Sequence, residues 1–262
     1  MKPVKVLDLF SGIGGFSLGL ERAGMETVAF CEIEAFPQKV LAKHWPDVPI
    51  YTDVKELTGD RLRADGVISD GDRVVLTGGY PCQPFSTAGQ RRGENDDRHL
   101  WPEVARLIQE LQPAFCVFEN VAGHISLGLD QVLSDLEGLG YTAETFVIPA
   151  CAVNAIHRRD RLWIIAYPDN SGNNSPRRGI DGNGPEKEQG RAQQPQPEPC
   201  RHISESKVWA TQPTICRGDD GLSRRLDTHR LKALGNAVVP QIPEIIGRAI
   251  MAIEADKEQS NG

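Results

Sequence analysis

The sequence predicts an α/β fold, a Rossmann-like arrangement in which strands and helices alternate around a mostly parallel sheet. Short β-branched runs bounded by turn residues recur along residues 4–166. A glycine turn, Ser11-Gly12-Ile13-Gly14-Gly15, connects the first of these runs to a helix. An acidic residue, Glu32, stands at the end of the second run, about 20 positions after the first glycine, where nucleotide-binding folds place a carboxylate for ribose hydroxyls.

Length and composition fit one sizeable globular domain with a small second lobe. The chain has 262 residues, of which 39% are hydrophobic and 25% charged. No apolar run approaches the ~18 residues of a membrane span and no signal peptide is indicated, so we expect a cytoplasmic protein without a membrane partner. The six cysteines form no C-x-x-C pair, which indicates neither a metal site nor a disulfide framework.

The net charge of −7 argues by itself against a nucleic-acid partner. Two segments are nevertheless locally basic, 157–161 and 217–232. Such clusters are either a solvated surface or the lining of a DNA-facing cleft, and we keep the cleft as a hypothesis.

Apolar runs and the turns between them predict the elements of the first half of the sheet. Strands are predicted at Val4–Phe10 and Val28–Cys31, and helices at Phe16–Ala23 and Ala35–His44. The glycine turn and Glu32 serve either a cofactor such as NAD or S-adenosylmethionine, or only a tight turn and a helix cap. Asp53 follows a short run at 49–51 and, taken alone, is more often a turn or cap residue.

The loop after the run Val74–Thr77 is the most informative stretch of the chain. It begins with Gly78 and Gly79 and contains Cys82 between Pro81 and Pro84. Most lone cysteines are small buried hydrophobes. A rigid loop at the carboxyl end of a buried strand is instead where open α/β sheets carry their chemistry, so we interpret Cys82 as a reactive thiol.

The remaining elements are a polar loop at 86–97, further helices and strands, and a stretch of altered composition. Helices are predicted at Trp101–Leu111, Leu129–Leu139 and Gln241–Glu254, and strands at Phe115–Phe118, Thr142–Ile148 and Arg161–Ala166. Glu119 follows one of these strands, where a carboxylate is available for acid–base work or for a helix cap. Residues 168–199 are rich in proline, glycine and amides and poor in apolar side chains, which indicates an irregular region.

Four motifs of this chain resemble those of the DNA cytosine-5 methyltransferases. They are Gly78-Gly79-Tyr80-Pro81-Cys82-Gln83-Pro84-Phe85-Ser86, Glu119-Asn120-Val121, the pair Arg159 and Arg161, and Gly235-Asn236-Ala237-Val238-Val239-Pro240. The similarity runs from residue 4 to about 250, except for roughly 168–215. The family usually has proline or phenylalanine in place of Tyr80, and glutamine in place of His157.

The resemblance implies a Rossmann-like S-adenosylmethionine-dependent methyltransferase fold and assigns roles to single residues. Cys82 would attack C6 of a flipped cytosine, assisted by Glu119, Arg159 and Arg161. The cofactor pocket would be formed by Phe10, Ser11, Gly12, Gly14, Gly15, Glu32, Asp53, Pro81, Leu100, Asn236 and Val238. DNA would be contacted by Gln83, Ser86, Arg91, Arg92, Arg217, Arg224 and Arg225.

The same resemblance predicts the organisation of the chain and its partners. Residues 1–166 would form the catalytic and cofactor domain, 167–228 a short, irregular target-recognition region, and 229–262 a segment that returns to the catalytic domain. The partner would be double-stranded DNA, with a cognate restriction endonuclease as a further candidate. We expect a monomer, encoded by a bacterium or a phage.

Three other functions are alternatives to this one. A nucleotide-dependent oxidoreductase would use the glycine turn and Glu32, but not Cys82 together with Glu119. A tRNA cytosine-5 methyltransferase of the same family stays open because the recognition region is short. A non-catalytic nucleic-acid-binding module would have lost catalytic residues, whereas Cys82, Glu119 and Arg161 are all present.

Overall fold

The computed structural model of the chain describes residues 3–81, 100–126, 128–155, 158–169 and 232–260. These residues belong to one compact unit, Met1–Asp169 with Ser223–Gly262, and a second unit, Asn170–Leu222, lies outside the described residues. Within the described part, no helix is both long enough and apolar enough to cross a membrane.

The unit is built on one seven-stranded sheet. In chain order the strands are β1 (Lys5–Leu9), β2 (Glu26–Cys31), β3 (Ile50–Tyr51), β4 (Val74–Gly78), β5 (Phe115–Val121), β6 (Tyr141–Pro149) and β7 (Asp160–Pro168). Their order across the sheet is β3-β2-β1-β4-β5-β7-β6. The pairs from β3 to β5 are parallel, and β7 runs antiparallel to both of its neighbours. The predicted α/β class is confirmed.

Six α-helices accompany the sheet in the described residues. They are α1 (Gly15–Arg22), α2 (Ala35–His44), α3 (Gly59–Ala64), α4 (Trp101–Leu111), α5 (Leu129–Gly138) and α6 (Gln241–Ser260), with a short helical segment at 232–236 and 3₁₀ turns at Ala122–Ser126 and Ala150–Val153. The sequence does not predict α3, because this helix has only six residues and no helical period. Its local signal is Thr58, whose hydroxyl accepts the N–H of Arg61 and so caps the helix.

Apolar side chains on the two faces of the sheet form two buried cores. On one face Leu7 and Leu76 pack with Leu107 of α4 and Leu136 of α5. On the other face the core is built from strand residues, α1 and α6, and it includes Val6, Val75, Phe16, Trp163 and Ile246. Helices therefore cover both faces, as in a doubly wound α/β fold.

The strand order reverses between β1 and β4, and this position determines where a ligand can bind. β1 has β2 on one side and β4 on the other, with Leu9 paired to Cys31 and to Gly78 at the carboxyl ends of the strands. In open α/β sheets, the crevice at such a switch point is the usual ligand site. The glycine turn follows β1 there, and the cysteine loop follows β4.

A candidate active site with an adjoining cofactor cavity

One cavity of about 390 Å³ lies at the carboxyl ends of β1, β2, β4 and β5. Its lining includes the predicted cofactor residues Phe10, Ser11, Gly12, Glu32, Asp53, Pro81, Leu100, Asn236 and Val238. The predicted catalytic residues Glu119, Arg159 and Arg161 line the same cavity. The predicted cofactor residues and the predicted catalytic residues thus line the same cavity, which extends from the glycine turn to the end of β5.

The glycine turn opens directly into this cavity. Gly12 has a backbone φ of 54°, in the left-handed region that favours glycine, and its N–H donates to Oε2 of Glu32 at 2.7 Å. A Cβ atom built at Gly12 would meet no atom within 4 Å. The turn therefore leaves room for a ligand to approach the backbone closely.

Glu32 is held from both sides by the backbone. Its Oε2 accepts the N–H of Gly12 and its Oε1 accepts the N–H of Glu34, each at 2.7 Å. Burial raises the pKa of Glu32, while the bonds from Glu34 and Gly12 partly offset that effect. Each carboxylate oxygen has a second lone pair, so Glu32 can accept ribose hydroxyls while it fixes the turn and the entry to α2.

Gly14 and Gly15 do not line the cavity, in contrast to the other predicted cofactor residues of this turn. A Cβ at Gly14 would lie 2.6 Å from the ring of Trp45, and a Cβ at Gly15 would lie 2.6 Å from the carbonyl oxygen of Val238. The structure therefore explains these two glycines by close packing against α2 and against the C-terminal segment.

Asp8 is a buried carboxyl directly behind the turn, at a position for which the sequence predicts no role. It is fully buried within β1, and it accepts hydrogen bonds from the hydroxyls of Ser17 at 2.9 Å and Thr77 at 3.0 Å. Burial raises its pKa to about 7, although these two bonds lower it. Its sequence signal is an acidic residue among the apolar residues of this strand.

The backbone that leads into the cysteine loop is anchored on β5 and on the turn that follows it. The side-chain amide of Asn120 donates to the carbonyl oxygen of Tyr80 at 3.1 Å, and the Tyr80 hydroxyl lies 2.9 Å from Nε2 of His124. The Tyr80 ring packs against Trp101 and Phe118. Tyr80 stands where the family usually has proline or phenylalanine, and its hydroxyl has a buried polar partner in His124.

Several predicted residues lie outside the described part of the chain. They are Cys82, Gln83, Ser86, Arg91, Arg92, His157, Arg217, Arg224 and Arg225. Their predicted roles stay predictions. Pro81, the residue before Cys82, borders the cavity, and β4 and β5 are parallel neighbours.

Glu119 and Arg161 form an ion pair in the cavity wall. Nε of Arg161 lies 2.7 Å from Oε1 of Glu119, with 22% and 12% of the respective side chains exposed. β7 pairs with β5 in antiparallel register, which brings the end of one strand beside the start of the other. Burial raises the pKa of Glu119, and Arg161 and then Arg159 partly offset it, so this carboxyl holds a proton at higher pH than an exposed glutamate.

One arginine and one lysine side chain contact the C-terminal segment beside this site. Arg159 donates from its guanidinium to the carbonyl oxygen of Ala237 at 3.0 Å. Lys232 pairs with Glu34 at 2.6 Å, at the rim of the cavity. Lys232, the last residue of the basic segment 217–232, thus lies beside the predicted cofactor residues.

A comparison with protein families identifies the chain. The model of the C-5 cytosine-specific DNA methylase family matches residues 4–220. The chain belongs to this family. The resemblance seen in the sequence motifs is therefore confirmed, and so is the methyltransferase fold.

Individual relatives of the chain are described as methyltransferases. The type II methyltransferase M.HgiBI of Herpetosiphon aurantiacus is 36% identical over 171 residues, which cover 63% of this chain and 37% of that protein. M.Eco47II of Escherichia coli is 36% identical over 167 residues, covering 62% and 39%. A prophage-encoded E. coli protein described as a DNA modification methyltransferase superposes with a TM-score of 0.53 at 28% identity, covering 63% of this chain and 47% of that one.

These matches span less than half the length of each of the three relatives. The family and the fold are consequently established for the chain, whereas its activity, substrate and partners are matters for proposal.

Proposed function

We propose that this chain transfers a methyl group from S-adenosylmethionine to C5 of a cytosine in double-stranded DNA, through a covalent adduct between Cys82 and C6. The observation that carries the proposal is that both sets of residues line one shared cavity. This cavity brings Glu119 and Arg161 into the same space as Gly12 and Glu32, with Pro81 at its border. Family membership supports the same reaction class.

The residues at the switch point fit S-adenosylmethionine. A volume of about 390 Å³ falls in the usual range of small-molecule sites, roughly 300–1,000 Å³. Glu32 offers acceptors for the ribose hydroxyls, Gly12 allows a close approach, and Asp53 and Asn236 supply further polar groups on the lining. The cofactor supplies an electrophilic methyl group on a sulfonium.

Covalent catalysis explains why a cysteine is needed. Cytosine C5 is a poor nucleophile, and addition of the Cys82 thiolate to C6 moves the C5=C6 electron pair so that C5 becomes electron-rich and can take the methyl group. Loss of the C5 proton to a base then re-forms the C5=C6 bond and expels the thiolate. A free thiol titrates near pH ~8.5, so the site must favour the thiolate form.

Glu119 is the group that we assign to the ring nitrogen N3. Negative charge develops toward N3 as C6 is attacked, and a protonated carboxyl neutralises it by donating a proton. The raised pKa of Glu119 acts in the direction that this role requires. Arg161 orients the carboxyl and, with its remaining N–H groups, can donate to the O2 carbonyl of the base.

DNA recognition is the other part of the proposal. The target base must leave the stack to reach this cavity, at a cost of a few kcal/mol. We propose that residues 167–228 choose the target sequence and that Arg91, Arg92, Arg217, Arg224 and Arg225 contact the DNA. We also propose a monomeric cytoplasmic enzyme that belongs, as the names of its type II relatives suggest, to a restriction–modification pair.

Trapping with 5-fluorocytosine tests the reaction directly. Random-sequence duplex DNA is synthesised with 5-fluorocytosine and incubated with the protein and S-adenosylmethionine. Because fluorine cannot leave C5 as a proton does, the methylated adduct persists, and mass spectrometry should find it on Cys82. Cys82→Ser is the control and should give no adduct. A wild-type protein that traps transcribed tRNA containing 5-fluorocytosine, but not the DNA, would replace DNA by RNA as the substrate.

A further inference from the structure

Arg159 donates a hydrogen bond to the C-terminal segment, whereas Arg161 makes the ion pair with Glu119. The guanidinium of Arg159 donates to the carbonyl oxygen of Ala237, 78 positions later in the sequence, at 3.0 Å. Ala237 belongs to the segment 232–238, several residues of which line the cofactor cavity. The bond thus connects the start of β7 with the C-terminal wall of that cavity.

The backbone at Arg159 is fixed to the sheet. Its φ is 39°, in the left-handed region, and Asp160 directly after it begins β7. The N–H of Ala150 donates to the carbonyl oxygen of Arg158 at 2.6 Å, which ties the preceding residue to the 3₁₀ turn after β6. The guanidinium therefore starts from a well-anchored position.

The wall that Arg159 holds also packs against the apolar core through Val238, and it has few other polar attachments among the described residues. The Val238 carbonyl packs on the glycine turn at Gly15, where no side chain would fit. At the opposite end Lys232 pairs with Glu34, but 55% and 44% of these side chains are exposed, and such surface pairs contribute little. The half-buried bond from Arg159 is accordingly the stronger attachment.

We infer that Arg159 is a positioning residue for the cofactor, which holds residues 232–238 against the cavity, while Arg161 makes the direct ion pair with Glu119 and contacts the target base. The inference rests on the proposed function. It separates two arginines that the family motif groups together. Arg161 makes the ion pair with Glu119, and Arg159 makes the bond to the cofactor wall.

Calorimetry with S-adenosylhomocysteine tests this division, because the product analogue reports the cofactor site without any methyl transfer. Three variants are compared with the wild type: Arg159→Met, Arg159→Lys and Arg161→Met. We expect Arg159→Met to bind about tenfold more weakly, as the loss of a bond to a charged donor predicts. Arg159→Lys can still donate to Ala237 and should stay within about threefold. Arg161→Met should bind S-adenosylhomocysteine within about twofold of the wild type, because the ion pair of Arg161 is with Glu119.

Steady-state kinetics give a second readout that does not depend on the methionine variant folding. For Arg159→Lys we expect a raised KM for S-adenosylmethionine with kcat nearly unchanged at saturation, because only the cofactor wall is loosened. A fall in kcat with unchanged KM would overturn the inference, since it would mean that Arg159 acts on the base. Equal weakening of S-adenosylhomocysteine binding by Arg161→Met and Arg159→Met would overturn it as well.

Failure of this inference is distinguishable from failure of the proposed function. If the wild-type protein does not bind S-adenosylhomocysteine, the proposed cofactor is wrong and the inference falls with it. If the wild type binds it and methylates DNA while Arg159→Met binds it equally well, only the role assigned to Arg159 is wrong.

Discussion

Nε of Arg161 lies 2.7 Å from Oε1 of Glu119, and both side chains line the cavity that also contains the glycine turn. Two opposing effects meet at this carboxyl. Burial raises its pKa, and the charge of Arg161 lowers it, with the net shift upward. The proposed mechanism uses a protonated Glu119 carboxyl. The ion pair with Arg161 lowers the fraction of that carboxyl that is protonated at neutral pH.

Arg161→Met should move the alkaline limb of the pH–rate profile to higher pH. Removing the positive charge removes a contribution that lowers the pKa of Glu119, so the protonated carboxyl persists to higher pH while the absolute rate falls. Single-turnover methylation of a duplex, measured from pH 6 to pH 9, checks this shift. Glu119→Gln is the matched control and should have no such limb; a limb that moves to lower pH in Arg161→Met would contradict the assignment.

Gly12→Ala should weaken S-adenosylhomocysteine binding, and Gly24→Ala should not. Both glycines have positive φ, 54° and 96°, and a Cβ at either meets no atom within 4 Å, so the backbone strain is of the same kind. Only Gly12 lines the cavity. We expect about 1 kcal/mol of lost stability in each variant and, in Gly12→Ala alone, at least tenfold weaker binding by calorimetry. Equal binding by the two variants would place the ligand elsewhere.

Asp8→Asn should flatten the dependence of stability on pH. The pKa of Asp8 is raised from 3.8 to about 7, so the folded wild type retains a proton that the unfolded chain has released. The contribution of this group is fully present below about pH 4 and is lost as pH rises to about 7, with a slope of up to ~1.4 kcal/mol per pH unit.

Urea unfolding of wild-type protein and Asp8→Asn between pH 4.5 and pH 8 measures that difference. Asparagine fits the site because the hydroxyls of Ser17 and Thr77 can donate or accept. The variant should gain stability relative to the wild type as pH rises. Parallel curves for the two proteins would contradict a raised pKa at Asp8.

Tyr80→Phe should cost about 1 kcal/mol of stability, because it removes the hydrogen bond between the Tyr80 hydroxyl and His124 and keeps the ring packing. Burial lowers the pKa of His124, so the neutral imidazole is the partner. A double-mutant cycle with His124→Leu checks the interaction by chemical unfolding. Additive effects of the two substitutions would show that this bond contributes nothing to stability.

Much of the fold was predictable because its elements carry strong local patterns. The helices Ala35–His44 and Trp101–Leu111 begin and end where the sequence predicts, and α4 repeats apolar residues at helical spacing through Val104, Leu107 and Ile108. The short helix α3 escaped prediction because six residues show too little periodicity. The C-terminal helix extends beyond Glu254 to Ser260, through polar residues that carry no apolar period.

The candidate site was predictable only in its motifs. The spacing of Gly12 and Glu32 in the sequence predicts that they belong to one site, and in the structure a hydrogen bond connects them. Packing at Gly14 and Gly15 against Trp45 and Val238 depends on tertiary neighbours that no local pattern specifies. The same holds for Lys232, which reaches Glu34 across 198 positions of sequence, and for the bond from Arg159 to Ala237.

Bisulfite sequencing of DNA from cells that express the protein tests the central claim most directly. Three forms are compared in a host without other cytosine methylation: wild type, Cys82→Ser and Glu119→Gln. The account predicts 5-methylcytosine at a defined sequence with the wild type, none with Cys82→Ser, and a reduction of about a hundredfold or more with Glu119→Gln. Wild-type levels of methylation by Cys82→Ser would contradict the covalent mechanism, and unmodified cytosine throughout the wild-type sample would contradict the proposed activity itself.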